Sequence, residues 1–432
     1  MKKAILHASE FLLSKSTLVV ILLGLIVQLI LVGKYLDNSI ISPYMPTALD
    51  AQDYAERAQI WRSEGFTESF GDAYRMPGYP FIIIAMQFFM PSNPYLGMKL
   101  LQLIAVALSA GIVKVMLERY VPRWAAIIAS VLYIVLPIWH FVPVLLAESL
   151  TSFIVVALIY QLSSVDALKI NRLVVFKISS LVAAAVYLKP NNVALLVVVF
   201  GFLLIKLRVN ILRTIFTITL IITCLLSPWI YFANHAQPEF FGLTANSGIN
   251  LYIGTGMIIA YDDGILSKSA IKWRVDPKNN PKDQILFDPA LSPVQQNSMA
   301  TQKSIQIWKE RPLQEIGYGF DKTLIAFGMK VNSKFDYILG LFSLISLLSG
   351  IILLRFREHR AWGIALLITF ISLALQAAIF QADRRFVIPV LFPFATVCLG
   401  LTIGRFSGQN LKLILRNFYK KADANLDQIK KR

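Results

Sequence analysis

Two acidic residues and a few basic ones stand where chemistry is possible. Asp50 opens the stretch Asp50-Ala-Gln-Asp53-Tyr54-Ala-Glu56, whose pattern predicts a helix running to about Ser63. A carboxylate at a helix N-terminus can accept a proton from an incoming hydroxyl. Asp50 also sits where an N-cap would sit, with Asp53 at the capping-box position, and the residues alone leave both roles open. Glu148 follows Pro143-Val-Leu-Leu-Ala at the edge of an apolar run. An acid there is costly unless paired or wet, which makes it either a site residue or a solvated helix start. Lys189 lies in Leu-Lys-Pro-Asn-Asn, and Arg384 and Arg385 in Ala-Asp-Arg-Arg-Phe. They suit either snorkelling to an interface or binding of phosphate, whose oxygens the planar guanidinium fork matches. His140 and His235 read as structural. No Walker A, GxSxG, HExxH or CxxC pattern occurs, so ATP-driven, serine-hydrolase and zinc-protease chemistries lose support.

The elements that must position these groups are membrane spans. Of 432 residues, 56% are hydrophobic and 16% charged. The mean hydropathy is +0.62. A soluble domain is about 45–50% apolar and about 25% charged. Apolar runs of roughly the 20 residues a span needs occur at residues 17–34, 96–116, 124–141, 147–162, 174–188, 193–207, 212–233, 337–354, 362–380 and 386–403. The fold expected is an all-α polytopic bundle of about ten spans. The run at 80–90, bracketed by prolines, is too short and is expected to lie flat on the outer surface. Cys224 and Cys398 sit inside apolar runs and suggest neither a disulfide nor a metal site.

The net charge of +17 then gains a side. If 80–90 does not span, Arg119, Arg123, Lys169, Arg172, Arg213, Arg355, Arg357 and the tail bases share one face. The short loops of the other face carry only Lys189, Arg384 and Arg385. That is the positive-inside pattern, with both termini cytoplasmic. The excess charge is therefore topology rather than a nucleic-acid surface. The expected organisation is an N-terminal span module over 1–233 with its outer loop at 35–95, a second outer region at 234–336, C-terminal spans over 337–404, and a basic tail at 405–432. Asp50 and Glu148 share the outer face with the three exceptional bases.

These residues resemble the GT-C superfamily of membrane glycosyltransferases, and most of all its family-39 group, which includes protein O-mannosyltransferases and the aminoarabinose transferase of lipid A. Asp50-Ala-Gln-Asp-Tyr54-Ala-Glu is similar to the first-loop D-E-x-x-Y-A pattern. Tyr74-Arg75-Met-Pro77-Gly-Tyr-Pro80 resembles the R-x-P-x-Y-P segment opening a membrane-parallel helix, and Glu148 stands where the family has its second acid. Pro228-Trp229, then Asn246-Ser-Gly-Ile-Asn250-Leu-Tyr252-Ile-Gly254, resembles the P-W and G-g-x-N-L-y-I-G stretches. Arg385-Phe-Val-Ile-Pro389 is similar to R-Y-x-x-P. The chain departs from the pattern at Ala51 (usually Glu), Glu148 (more often Asp) and Phe386 (usually Tyr).

The resemblance implies a sugar carried on a polyprenyl monophosphate, transferred with inversion to an acceptor on the outer face of a bacterial inner membrane. Asp50 would be the catalytic base, with Glu148 as second acid. Tyr54, Arg75, Lys189, Arg384, Arg385 and Asn250 would bind substrate. The resemblance fixes no cofactor, and a divalent cation between Asp50 and Glu148 is left open. The expected partners are the lipid-linked donor, the acceptor and membrane lipid, without nucleic acid. Two alternatives stand beside this: a transporter or flippase for a lipid-linked saccharide, and an O-antigen polymerase or ligase using a polyprenyl-diphosphate donor.

Overall fold

The computed structural model describes residues 14–35, 49–136, 141–168, 170–207, 209–238, 240, 242–262, 291–330, 334–380 and 384–406. Among them every regular element is helical. The chain runs α1 (Lys15–Tyr35), α2 (Leu49–Ser63), α3 (Phe66–Phe70), α4 (Gly78–Phe89), α5 (Pro94–Leu117), α6 (Arg123–Val135), α7 (Glu148–Ser163) and α8 (Arg172–Leu188). A 3₁₀ turn at Pro190–Ala194 leads into α9 (Leu195–Lys206) and α10 (Ile211–Ala236). Then come α11 (Ser247–Asp262), α12 (Pro293–Glu310), α13 (Pro312–Ala326), α14 (Lys334–Leu353), α15 (Arg360–Ile379) and α16 (Arg384–Phe406).

Local chemistry sets the boundaries. Asn93 caps α5 by accepting from the Leu96 N–H, with Pro94 at the first position. Asn171 caps α8 in the same way. Pro190 cannot continue α8, and it forces the preceding Lys189 into extended backbone (φ −151°, ψ 121°). Lys189 thereby leaves the helix end rather than following its spiral. Helix α12 opens on a reciprocal capping box between Ser292 and Gln295.

The chain is a multi-pass membrane protein. Among the described residues, α5, α10, α15, α16 and 335–353 of α14 are long and apolar enough to cross a membrane by length and composition. The remaining apolar helices, such as α6 and α7, are shorter. Long helices run alternately between two ends of one bundle. At one end Arg119, after α5, donates to Tyr160 and Ser163 at the close of α7, and Arg405 pairs with Glu358 ahead of α15. At the other end lie Asp50, Glu148, Lys189 and Arg385. The basic short connections and the candidate site thus occupy opposite ends, as the charge pattern predicts. Lys114, buried within α5, is matched there by Glu118 at 2.8 Å and by the Thr17 hydroxyl at 3.1 Å.

Helix α4 does not traverse the bundle. Its start lies against Tyr187 near the end of α8, and Met86 and Met90 reach Gly97 near the start of α5. Both of its ends therefore sit at the site end, consistent with a run too short to span. Phe88 and Phe89 face outward. Helix α16 is the central element, with Ile388, Leu391, Phe392, Phe394 and Leu401 wholly buried. Helix α10 is the most peripheral span and exposes Leu212, Phe216 and Tyr231.

Residues 234–336 contain helices α11, α12 and α13; residues 263–290 lie outside the described set. These helices are packed closely on the spans. A Cβ at Gly254 in α11 would meet the Phe380 carbonyl oxygen at 2.6 Å. The buried Lys322 ammonium of α13 donates to both the Gly254 and Phe380 carbonyls at 3.2 Å. Gly254→Val is therefore expected to destabilise the protein by about 1–3 kcal/mol, the usual cost of overpacking. Gly317→Ala is the control, because nothing lies within 4 Å of a Cβ there. Thermal unfolding in detergent checks the pair: the valine variant melts lower and the alanine variant melts like the parent.

Candidate active site

Acids and bases alternate along a continuous chain at the site end. Arg57 of α2 grips Asp72 through both terminal nitrogens (3.0 and 2.7 Å), the Ser69 carbonyl at 2.5 Å, and Asp53 through Nε at 3.0 Å. Asp53 also accepts from Arg75 Nε at 2.5 Å. Arg75 Nη2 reaches Asp50 Oδ1 at 2.6 Å, and Arg385 Nη1 reaches Asp50 Oδ2 at 2.7 Å. Asp50 therefore bridges the first-loop arginine and the last helix. Beside this ladder Lys189 Nζ donates to Glu148 Oε1 at 2.5 Å, and its charge lies 4.7 Å from the centre of the Phe386 ring.

Backbone geometry brings Arg75 to this place. Ala73 adopts left-handed backbone (φ 52°), a conformation that costs an L-residue roughly 1–2 kcal/mol. Its N–H donates to the Phe70 carbonyl, and its carbonyl accepts from Ala245 N–H at 2.8 Å. The segments before α4 and before α11 are joined there. Glu148 is positioned by another buried group. Gln102 of α5 accepts from the Tyr79 hydroxyl at 2.8 Å and donates to the Val142 and Val144 carbonyls at 2.9 Å. It thus holds the segment that leads into α7.

These groups line a chamber of about 420 Å³. Its wall includes Asp50, Tyr54, Arg75, Lys189, Asn250 and Arg385. Tyr54 lies under Arg75, with 5.4 Å from guanidinium carbon to ring centre. The volume falls in the range of about 300–1,000 Å³ typical of ligand sites. Burial pushes the Asp50 carboxyl up, but Arg75, Arg385 and Lys189 outweigh it and hold it well below the usual carboxylate range. Burial raises the Tyr54 phenol; Arg75 opposes this, but Asp50, Glu148 and Asp53 add to it, so the phenol stays protonated as a donor. Burial acts to lower the Arg75 guanidinium, but Asp50 and Asp53 outweigh it and raise it.

Several expectations change. Asp50 lies inside the first turn of α2, and its oxygens go to arginines rather than to a backbone cap; Asp53 pairs with Arg57 and Arg75 rather than closing a capping box. Arg384 faces away from Asp50 and pairs with the buried Asp336 at the start of α14. Successive helical residues point about 100° apart, so Arg384 and Arg385 serve different partners. Glu148 does not line the chamber; wholly buried, it stands behind Lys189 and positions it. The cation that Asp50 and Glu148 would share does not fit this donor set. Each carboxylate already holds a cationic side chain, and Ala51 is buried among apolar groups. Among the described residues no three His, Cys, Asp or Glu gather. His140 lies outside the described residues, and His235 stacks on Tyr231 at the surface. Cys224 and Cys398 are free. Arg57 and Asp72 were not apparent as site residues, although the Asp53–Arg57 spacing of four was a signal for that pair.

The fold has solved counterparts. The oligosaccharyltransferase of Archaeoglobus fulgidus in its apo form superposes with a TM-score of 0.53 and 12% identity, over 93% of this chain and 52% of that one. The oligosaccharyltransferase AglB of the same organism, in complex with an inhibitory peptide and a dolichol-phosphate, gives a TM-score of 0.51 and 11% identity, over the same shares. The chain spans about half the length of these structures. ArnT of Cupriavidus metallidurans bound to undecaprenyl phosphate has 12% identity and a TM-score of 0.40, over 90% and 77% of the two chains. Neither a protein-family profile nor a characterised protein's sequence matches. The chain shares its fold with the matching part of the archaeal oligosaccharyltransferase structures.

Two outcomes follow from the electrostatics. An acid whose folded pKa is depressed contributes stability above its unfolded pKa, near 3.9, and loses it as pH falls through the folded value. The Asp50 contribution should therefore persist down to about pH 4 and vanish only below it. Asp50→Asn should lower the melting temperature at neutral pH and flatten this acid dependence, which thermal scans across pH would reveal. For the buried Glu148–Lys189 pair, Glu148→Gln leaves an uncompensated ammonium and should cost about 3–5 kcal/mol. Glu148→Leu combined with Lys189→Met should recover much of that loss. A double-mutant cycle by chemical denaturation checks the coupling.

Proposed function

We propose that this protein is an integral-membrane glycosyltransferase that takes a sugar from a polyprenyl-monophosphate donor on the outer face of the membrane. The observation that carries this reading is the Asp50 carboxylate held between Arg75 and Arg385, with Lys189 on the same chamber wall, in a bundle of the GT-C fold. Phosphate and carboxylate suit the same guanidinium forks. A donor phosphate entering the chamber competes with Asp50 for Arg75 and Arg385.

That competition gives the carboxylate its role. While both arginines hold it, Asp50 is a weak proton acceptor. As they turn to the phosphate, its basicity rises beside the reacting carbon. The acceptor oxygen forms a bond to the anomeric carbon as the bond from that carbon to the phosphate oxygen breaks. The electron pair leaves with the polyprenyl phosphate, whose charge the arginines and Lys189 receive. The acceptor proton passes to Asp50, and attack opposite the leaving group inverts the anomeric centre. The archaeal neighbour was solved with a dolichol-phosphate, a lipid carrier of the proposed donor class.

The test is chemical. Mass analysis of envelope glycans from cells lacking the gene should show the loss of one sugar, restored by the parent protein and not by Asp50→Asn expressed at equal level. The expected loss in transfer is at least about a hundredfold, the low end for a general base. Near-normal transfer by Asp50→Asn in a folded protein would remove the base from the mechanism. Parallel assays with monophosphate-linked and diphosphate-linked donors separate this reading from a polymerase or ligase.

A further inference from the structure

A second chamber, of about 620 Å³, adjoins the charged one and shares Asn191, Asn246, Asn250 and Phe386 with it. Its chemistry is different. Among the described residues that line it, none is charged. The wall is built of carboxamides, hydroxyls and aromatic rings, contributed by the turn after α8, by α11, by α12 and by the end of α15.

Much of this polar capacity is unspent. Asn297 is used structurally, since its Oδ1 accepts from the Gly248 N–H at 2.6 Å. Thr301 donates to the Asn297 carbonyl at 2.8 Å and keeps its acceptor lone pairs. The side chains of Asn191, Asn250, Gln302 and Gln376 make no hydrogen bond within the described residues. Each carboxamide offers two donors and one acceptor oxygen. Such groups, converging from separate helices, suit a ligand that both donates and accepts at several neighbouring points without net charge. The rings of Phe380 and Phe386 add apolar faces. A phosphorylated, carboxylated or cationic ligand would leave its charge unpaired here.

We propose that this second chamber is a binding site for a neutral carbohydrate, and that its amide wall selects uncharged sugars over charged ones. The assignment rests on the transferase reading above, with the sugar belonging either to the acceptor or to the lipid-linked donor. Asn191, Asn250 and Phe386 at the shared wall would bring it beside the reacting carbon.

The full chain in lipid nanodiscs is probed by saturation-transfer NMR with maltotriose, mannotriose and chitotriose, and with a uronic-acid trisaccharide as the charged comparator. At least one neutral trisaccharide should bind. Gln302→Leu and Gln376→Leu, made separately on two helices, should each weaken it at least about tenfold, a loss of about 1.4 kcal/mol. Circular dichroism confirms that each variant is folded. The proposal is overturned if no neutral saccharide binds, if the charged one binds better, or if both leucine variants bind as the parent does. Undecaprenyl phosphate is titrated into the same samples. Its failure to bind would count against the transferase reading and leave the carbohydrate result standing. Displacement of the trisaccharide by undecaprenyl-phosphate-linked glucose assigns the chamber to the donor sugar, and simultaneous binding assigns it to the acceptor; both support the site.

Discussion

A single carboxylate joins parts of the chain 335 residues apart. Asp50 binds Arg75 from the first outer loop with one oxygen and Arg385 from the last helix with the other. Removing either arginine would leave Asp50 with a half-compensated charge in a partly buried place, the costly case for an ion pair. The ladder through Asp53, Arg57 and Asp72 extends the same logic across α2 and the loop after α3. Four acids, Asp50, Asp53, Asp72 and Glu148, face four bases, Arg57, Arg75, Lys189 and Arg385. Among the described residues these charges balance before any ligand arrives. Such balance allows charged groups to gather at the end of an otherwise apolar bundle.

The bundle supplies the rigidity that the ladder needs. Helices α7, α8 and α16 each have a terminus at the site and carry Glu148, Lys189 and Arg385 there. Two small local devices aim these groups. Pro190 turns Lys189 out of its helix, and the strained backbone at Ala73 precedes Arg75 by two residues. Strain of this kind persists only where its surroundings enforce it. Here the enforcement comes from the Ala245 N–H, so the segment before α11 fixes the one before α4.

Much of this was legible in the sequence. Apolar runs near the thickness of a bilayer located the long helices, and the partition of Lys and Arg placed the candidate site at one end and the basic connections at the other. The proline bracket distinguished α4 from a span. Contact partners were not legible. Arg384 and Arg385 are neighbours in sequence, and helix phase decides which one meets Asp50. Helix α16 is apolar almost all round, so periodicity carries no phase information. Glu148 and Lys189 were each visible, but their pairing depends on how α7 packs against α8. Helix α12 was hidden by polar composition, although Ser292 and Gln295 have the spacing of a helix start. The Asp50–Arg75–Arg385 bridge needed the folded chain, because no local rule relates residues so far apart.

The bridge also bears on how such a site empties. A transferase that grips its leaving phosphate with two arginines and a lysine is at risk of staying saturated with spent carrier lipid. Asp50 is a tethered rival for the same guanidiniums, present at high effective concentration because the fold holds it in place. On the proposed function, each departing phosphate would be replaced at once by this internal anion. The arginines would then never stand bare, and the cost of exposing them would be removed from the release step. On the proposed function, the residue that accepts the proton would also reset the enzyme, lowering its affinity for its own by-product and leaving the carrier free to return to the membrane.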